Sequence, residues 1–147
     1  MTTSGVNGMT AEQPLPNDAA VDRAAALFAD ARAMHGAALA RMDAGDIRDA
    51  AEKAWCATKR AADGLIVART GEEPDKASDT TRALRYLGAD EDIRRSMSHY
   101  YAAREALHGC CFYRASCELI EDTERLIHET IDYIADAERL SAGREAG

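Results

Sequence analysis

Arg104 and His108 are the residues of this chain whose types and spacing best suit chemistry. A guanidinium keeps its charge at any accessible pH, and an imidazole exchanges a proton near neutrality. Four residues apart on an α-helix, the two lie about 40° from each other around the axis. A pair so placed can bind an anion, the imidazole giving or taking a proton while the guanidinium stabilises developing phosphate charge. Tyr101, on the same stretch, joins them as a candidate ligand contact, and with Trp55 and Tyr100 it could form a stacking platform for bases. A plainer role is open for each. Arg104 can snorkel along the edge of an apolar stripe or pair with an acid, His108 can close its helix where an imidazolium meets the dipole, and the aromatics can serve the core or a dimer contact.

The remaining polar candidates read as structural. His35 falls on an apolar arc between Phe28 and Met42, which suits a hydrogen-bonded core histidine. Thr58, Thr123 and Thr130 sit near the centres of their stripes, where each hydroxyl can bond a carbonyl one turn back. Cys56, Cys110, Cys111 and Cys117 contain no C-x-x-C pair, and adjacent cysteines suit neither a disulfide framework nor a zinc ribbon, so reduced thiols and no metal site are expected. Arg94 and His99 point about 140° apart on a straight helix. The sequence holds no glycine-rich phosphate loop, no nucleotidyltransferase-like Gly-Ser with paired Asp and no G-x-S-x-G elbow, which argues against a stand-alone enzyme working through ATP, NAD or an acyl-serine, and no cofactor is expected.

These residues must be carried by helices. Apolar residues make up 46% of the chain but only 5% are aromatic, and alanine supplies much of the rest, a composition that favours closely packed helices. Strand-like alternation is lacking, so the fold class is all-α. Residues 1–18 read as a disordered tail, with Asn17 or Asp18 capping a first helix from 19 to 43 whose stripe is Leu27, Phe28, Ala31, Met34, Ala38, Leu39 and Met42. Gly45 ends that helix and Asp46 caps the next, forcing an antiparallel hairpin. The second helix, 47–69, has Ile47, Ala51, Ala54, Trp55, Ala62, Leu65 and Ile66 as its stripe and stops at Gly71. A short helix follows over 79–87. After Gly88, Asp90 or Asp92 starts a longer one with Ile93, Met97, Tyr100, Tyr101 and Leu107 on one arc, an interface candidate, closed by Gly109. The last helix, 117–140, is capped by Ser116 and carries Leu119, Ile120, Thr123, Leu126, Ile127, Thr130, Ile134 and Ala137 inward. The expected architecture is an up-and-down bundle of four to five helices spanning 19–141, with residues 142–147 frayed. Gly45, Asp46, Trp55 and Gly71 are structural in this reading.

Net charge is −8. Proteins that bind nucleic acid without sequence preference neutralise phosphates with Lys and Arg, so non-specific DNA binding is disfavoured, although a local basic patch is compatible with this balance. No signal-like N-terminus and no membrane-length apolar run is present, so a cytoplasmic protein without membrane contact is expected.

Two patches carry a family resemblance. Gly45, Asp46, Ala50, Glu52, Lys53, Ala54, Trp55 and Ala57 resemble the "GD…QASEKAWGAA" stretch of the PaREP family of small helical proteins. Ala106, Leu107, His108, Phe112 and Tyr113 resemble that family's "A..LH.NFYE" stretch. The resemblance, over roughly residues 21–140, implies the HEPN (higher eukaryotes and prokaryotes nucleotide-binding) superfamily. That in turn implies a four- or five-helix bundle, commonly a homodimer, serving as a metal-independent ribonuclease or as a non-catalytic partner of a separate nucleotidyltransferase, with RNA or a nucleotide as ligand. Active HEPN ribonucleases carry an Arg and a His separated by four to six residues, and two copies complete the site. Arg104 and His108 enclose three residues, one short of that pattern.

Overall fold

In the computed structural model, which describes residues 14–142, every regular element is helical. The elements are α1 (Asn17–Asp43), α2 (Ile47–Thr70), α3 (Ala77–Leu87), α4 (Glu91–Ala102), a π-helical continuation of α4 (Ala103–Tyr113), and α5 (Ile120–Ser141). The proposed tail residues 1–13 and 143–147 lie outside the described part; 14–16 are irregular, and α1 begins at Asn17, with Pro16 preceding it in place of a capping side chain.

The α1–α2 hairpin forms as its turn residues dictate. Gly45 adopts φ 86°, the left-handed conformation that costs glycine least. Asp46 accepts a hydrogen bond from Asp49 N–H at 3.1 Å, capping α2. At the far end Gly71, at φ 79°, returns its N–H to the Val67 carbonyl at 2.8 Å. Between these punctuation marks α2 becomes the centre of the bundle, packing against every other helix. Its small side chains make that possible: Ala50, Ala51, Ala54, Ala57, Ala61 and Ala62 are all fully buried. Gly64 lets α1 come closer still, since a Cβ there would stand 3.0 Å from the Phe28 ring.

Buried charge and hydroxyls pin the short α3 to this centre. Asp63 on α2 accepts from Lys59 Nζ at 2.8 Å and from Thr80 Oγ1 at 2.7 Å. Burial raises the Asp63 pKa despite these donors. His35 is a core histidine, its Nε2 bonded to the Ile127 carbonyl at 3.1 Å, with its pKa lowered by burial. Thr58 and Thr130 bond the carbonyls of Ala54 and Leu126 one turn back, whereas Thr123 reaches the Cys117 carbonyl outside its helix.

Three expectations need correcting. Gly109 does not end its helix: α4 widens into i→i+5 turns and runs through it to Tyr113. The buried positions mark the change, with spacings of three and four at Ile93, Met97, Tyr100 and Ala103 giving way to fours at Ala103, Leu107 and Cys111. Next, α5 starts at Ile120 rather than Cys117, and Ser116 caps nothing because its N–H is drawn back to the Cys110 carbonyl at 2.8 Å. Leu119 and Ile120 are consequently exposed, while Thr123, Ile127, Thr130, Ile134 and Ala137 face inward as the stripe requires. Finally, the arc of Ile93, Met97, Tyr100 and Leu107 is consumed by the monomer's own core, which leaves only Tyr101 of that arc at the surface.

Candidate functional site

The candidate residues lie where α4 and its π continuation cross α2 and α3. Arg104 sits in the first π turn, half-buried, and its Nη1 donates to Thr81 Oγ1 on α3 at 2.6 Å. Thr81 spends its own proton on the Ala77 carbonyl at 2.9 Å, so its oxygen accepts from Arg104 and also from the Tyr100 hydroxyl at 2.7 Å. That hydroxyl oxygen is thereby saturated. Burial raises the pKa of Tyr100 and keeps it a neutral donor. No carboxylate lies within 4 Å of the Arg104 guanidinium among the described residues. A guanidinium has five N–H donors, and a single hydroxyl leaves most of that planar fork available for an anion.

His108, one turn on, faces α2. Its Nδ1 is 2.8 Å from Glu52 Oε1, and both side chains are partly buried. Trp55 packs against both Tyr100 and His108, its ring centroid 5.5 Å from the first and 5.6 Å from the second. On its other sides His108 meets the Phe112 ring nearly parallel at 6.4 Å and the edge of Tyr113 at 5.1 Å. Arg48 of α2 fixes the end of this wall by donating twice to the Phe112 carbonyl, at 2.9 and 2.6 Å. With Nδ1 committed to a carboxylate, the ring is oriented and Nε2 is the nitrogen left to exchange a proton.

Arg104 and His108 therefore share one helix, but hold partners on different elements, Thr81 on α3 and Glu52 on α2. Tyr101 packs edge-on against Tyr100 at 5.8 Å and keeps 42% of its surface exposed beside them. Arg94 and His99 are not brought together: Arg94 bonds the Gly88 carbonyl and Glu91, whereas His99 lies inward against Tyr133 and Thr130. Trp55 is a packing residue with 4% exposure. Glu52 falls outside the stripe that the sequence gives α2, and Thr81 is not among the residues it singles out. The signal for Glu52 was its position three residues before Trp55, which puts it beside the tryptophan on the face that meets the π segment.

The thiols depart from expectation. Cys111 and Cys117 form a disulfide, with Cα atoms 4.3 Å apart, while Cys56 and Cys110 are free. On an unbroken helix residues six apart would be separated by about 9 Å along the axis. Here the chain turns back after Tyr113, through Arg114 N–H to the Gly109 carbonyl and a left-handed Ala115 at φ 58°, and brings Cys117 onto Cys111. Among the described residues no group of three or more His, Cys, Asp or Glu is placed to hold a metal ion, and no helix is long and apolar enough to cross a membrane. A groove of about 400 Å³ lies between α1 and the ends of α2 and α5, bordered by Val21, Phe28, Ala68 and Glu138. None of the candidate residues lines it, and its small, mostly apolar side chains offer little to chemistry. No family model, no curated protein and no solved structure matches the chain.

Proposed function

We propose that this chain is an HEPN-like helical binding module that acts as a homodimer and holds a phosphate group of a nucleotide or of RNA at Arg104, with His108 and Tyr101 completing the contact. The observation that carries the reading is the state of Arg104. It is half-buried, held by one neutral hydroxyl, and lacks the carboxylate that accompanies Arg23, Arg41, Arg69 and most other arginines of the chain. Partly desolvating a cation without a counter-ion is costly, and an incoming anion would remove that cost. The exposed Tyr101 ring supplies a flat face for a base beside the charge. Exposed Tyr113, Leu119 and Ile120 add apolar area at the far end of the π segment and the approach to α5, which favours assembly of two copies there.

Titration calorimetry with adenine nucleotides and a short RNA tests the binding. Arg104→Ala should abolish it. Arg104→Lys, which keeps the charge and loses the fork, should weaken it at least tenfold. Undiminished binding by Arg104→Ala would remove the proposal, and light scattering that gives a strict monomer at high micromolar concentration would remove the dimer.

A second reading, metal-independent RNA cleavage, is favoured by one further observation, the Glu52–His108 contact. A carboxylate holding Nδ1 is the arrangement a general acid–base histidine requires. Cleavage of structured RNA that survives chelation and disappears in His108→Ala would establish it. Intact RNA after prolonged incubation would leave binding alone.

A further inference from the structure

The Cys111–Cys117 bond lies outside the binding reading, yet it sits at the mechanical root of the wall around His108. Cys111 is the last core residue of the π segment and fully buried. Phe112 and Tyr113, the next two residues, are the rings that pack on His108. Beyond them, residues 114–119 form no helix, and all but Cys117 are exposed. Two main-chain hydrogen bonds fold this turn back, Arg114 N–H to the Gly109 carbonyl at 3.3 Å and Ser116 N–H to the Cys110 carbonyl at 2.8 Å. Apart from these bonds, the Thr123 hydroxyl on the Cys117 carbonyl and Arg48 on the Phe112 carbonyl, the disulfide is the principal tie between the exit of the π segment and the approach to α5.

We propose that the Cys111–Cys117 disulfide is a redox latch, opened by a dithiol reductant, that sets whether Phe112 and Tyr113 are held against His108. The two sulfurs differ in access. Cys117 is partly exposed and Cys111 is not, so the reductant's thiolate attacks the Cys117 sulfur and Cys111 leaves as a thiolate that takes up a proton. The reductant's second thiol then attacks the mixed disulfide, releasing Cys117 as a thiol and closing the reductant's own disulfide. Two electrons and two protons pass to the protein. Once the cross-link is gone, the turn keeps its few hydrogen bonds and the packing of Cys117 on the core, without a covalent tie, and local opening becomes easier.

The full chain decides this by thiol counting and amide exchange. Prepared without reductant, it should present two alkylatable thiols after denaturation, Cys56 and Cys110, and with dithiothreitol all four. Reduction should speed exchange at the Arg114 and Ser116 amides about tenfold and shift the His108 ring resonances, with α1 unchanged. Cys117→Ser should show the same exchange pattern with no reductant present, while Cys56→Ser should not. Four free thiols in the air-oxidised chain, or identical exchange at 114–119 before and after reduction, would overturn the latch. Neither readout involves an anion at Arg104, so the latch and the binding reading fail separately.

Discussion

Acidification should draw stability out of this bundle chiefly through His99. The ring lies inward, stacked on Tyr133 at 5.1 Å with Nε2 3.3 Å from Thr130 Oγ1. Burial lowers its pKa from 6.5 to about 4, an effect that the charge of Asp132 opposes only in part. Because the folded value lies below the unfolded one, the unfolded chain takes up the proton first as the pH falls. Stability contributed by neutral His99 is therefore complete above the unfolded value and declines between pH 6.5 and 4. A gap of roughly 2.5 units at about 1.36 kcal/mol per unit gives a limiting loss of about 3.4 kcal/mol, of which about 2.5 kcal/mol has gone by pH 4.5. His99→Phe isolates this contribution, since it keeps an aromatic ring against Tyr133 and leaves Thr130 bonded to the Leu126 carbonyl. His35, also lowered by burial, slopes the same way in both proteins and cancels in the comparison. Urea unfolding of wild type and variant at pH 7.5, 6, 5 and 4.5 provides the test. The wild type should lose about 2.5 kcal/mol more than the variant over that range. Free energies that run parallel to within about 0.5 kcal/mol would refute burial of a neutral His99 as the source of acid sensitivity.

Asp63→Ala should cost about 3 kcal/mol by removing the acceptor shared by Lys59 and Thr80, measured by the same urea titration. Gly71→Ala should destabilise by about 1–2 kcal/mol, because φ 79° strains an alanine and its Cβ would lie 3.0 Å from the Leu15 carbonyl oxygen; thermal unfolding checks this. Gly64→Ala, with the new methyl 3.0–3.2 Å from the Phe28 ring, should lower the melting temperature and cost about 1–3 kcal/mol, and an unchanged midpoint would mean that Phe28 rotates away freely.

What the sequence disclosed follows from which interactions are local. Caps and left-handed glycines act within four residues, so Gly45, Asp46 and Gly71 could be read in place. Periodicity exposed the stripes of α1, α2 and α5 because each repeats at 3.6 residues over several turns. The π segment is not legible in the sequence because the 100° step holds only as far as Ala102, and because Gly109 looks like a helix end when its neighbours in space are unknown. Cys117 reads locally as a helix start, since nothing near it in sequence shows that the chain doubles back onto Cys111. At the candidate site Arg104 and His108 were found by their spacing, whereas their partners Thr81 and Glu52 lie on other helices, at separations of 23 and 56 residues. Such partners appear only once the helices are docked.

The position of α2 has a consequence for how this protein comes apart. A helix touched by all the others cannot shed one neighbour without uncovering its own alanine faces to water, so no half of the chain retains a self-sufficient interior. Detachment of any helix from α2 should therefore spread to the whole molecule in a single cooperative transition, whereas the non-helical turn at 114–119 can open locally. Trp55, the single tryptophan of the chain, stands on that shared helix, and its emission should report the collapse of every layer at once.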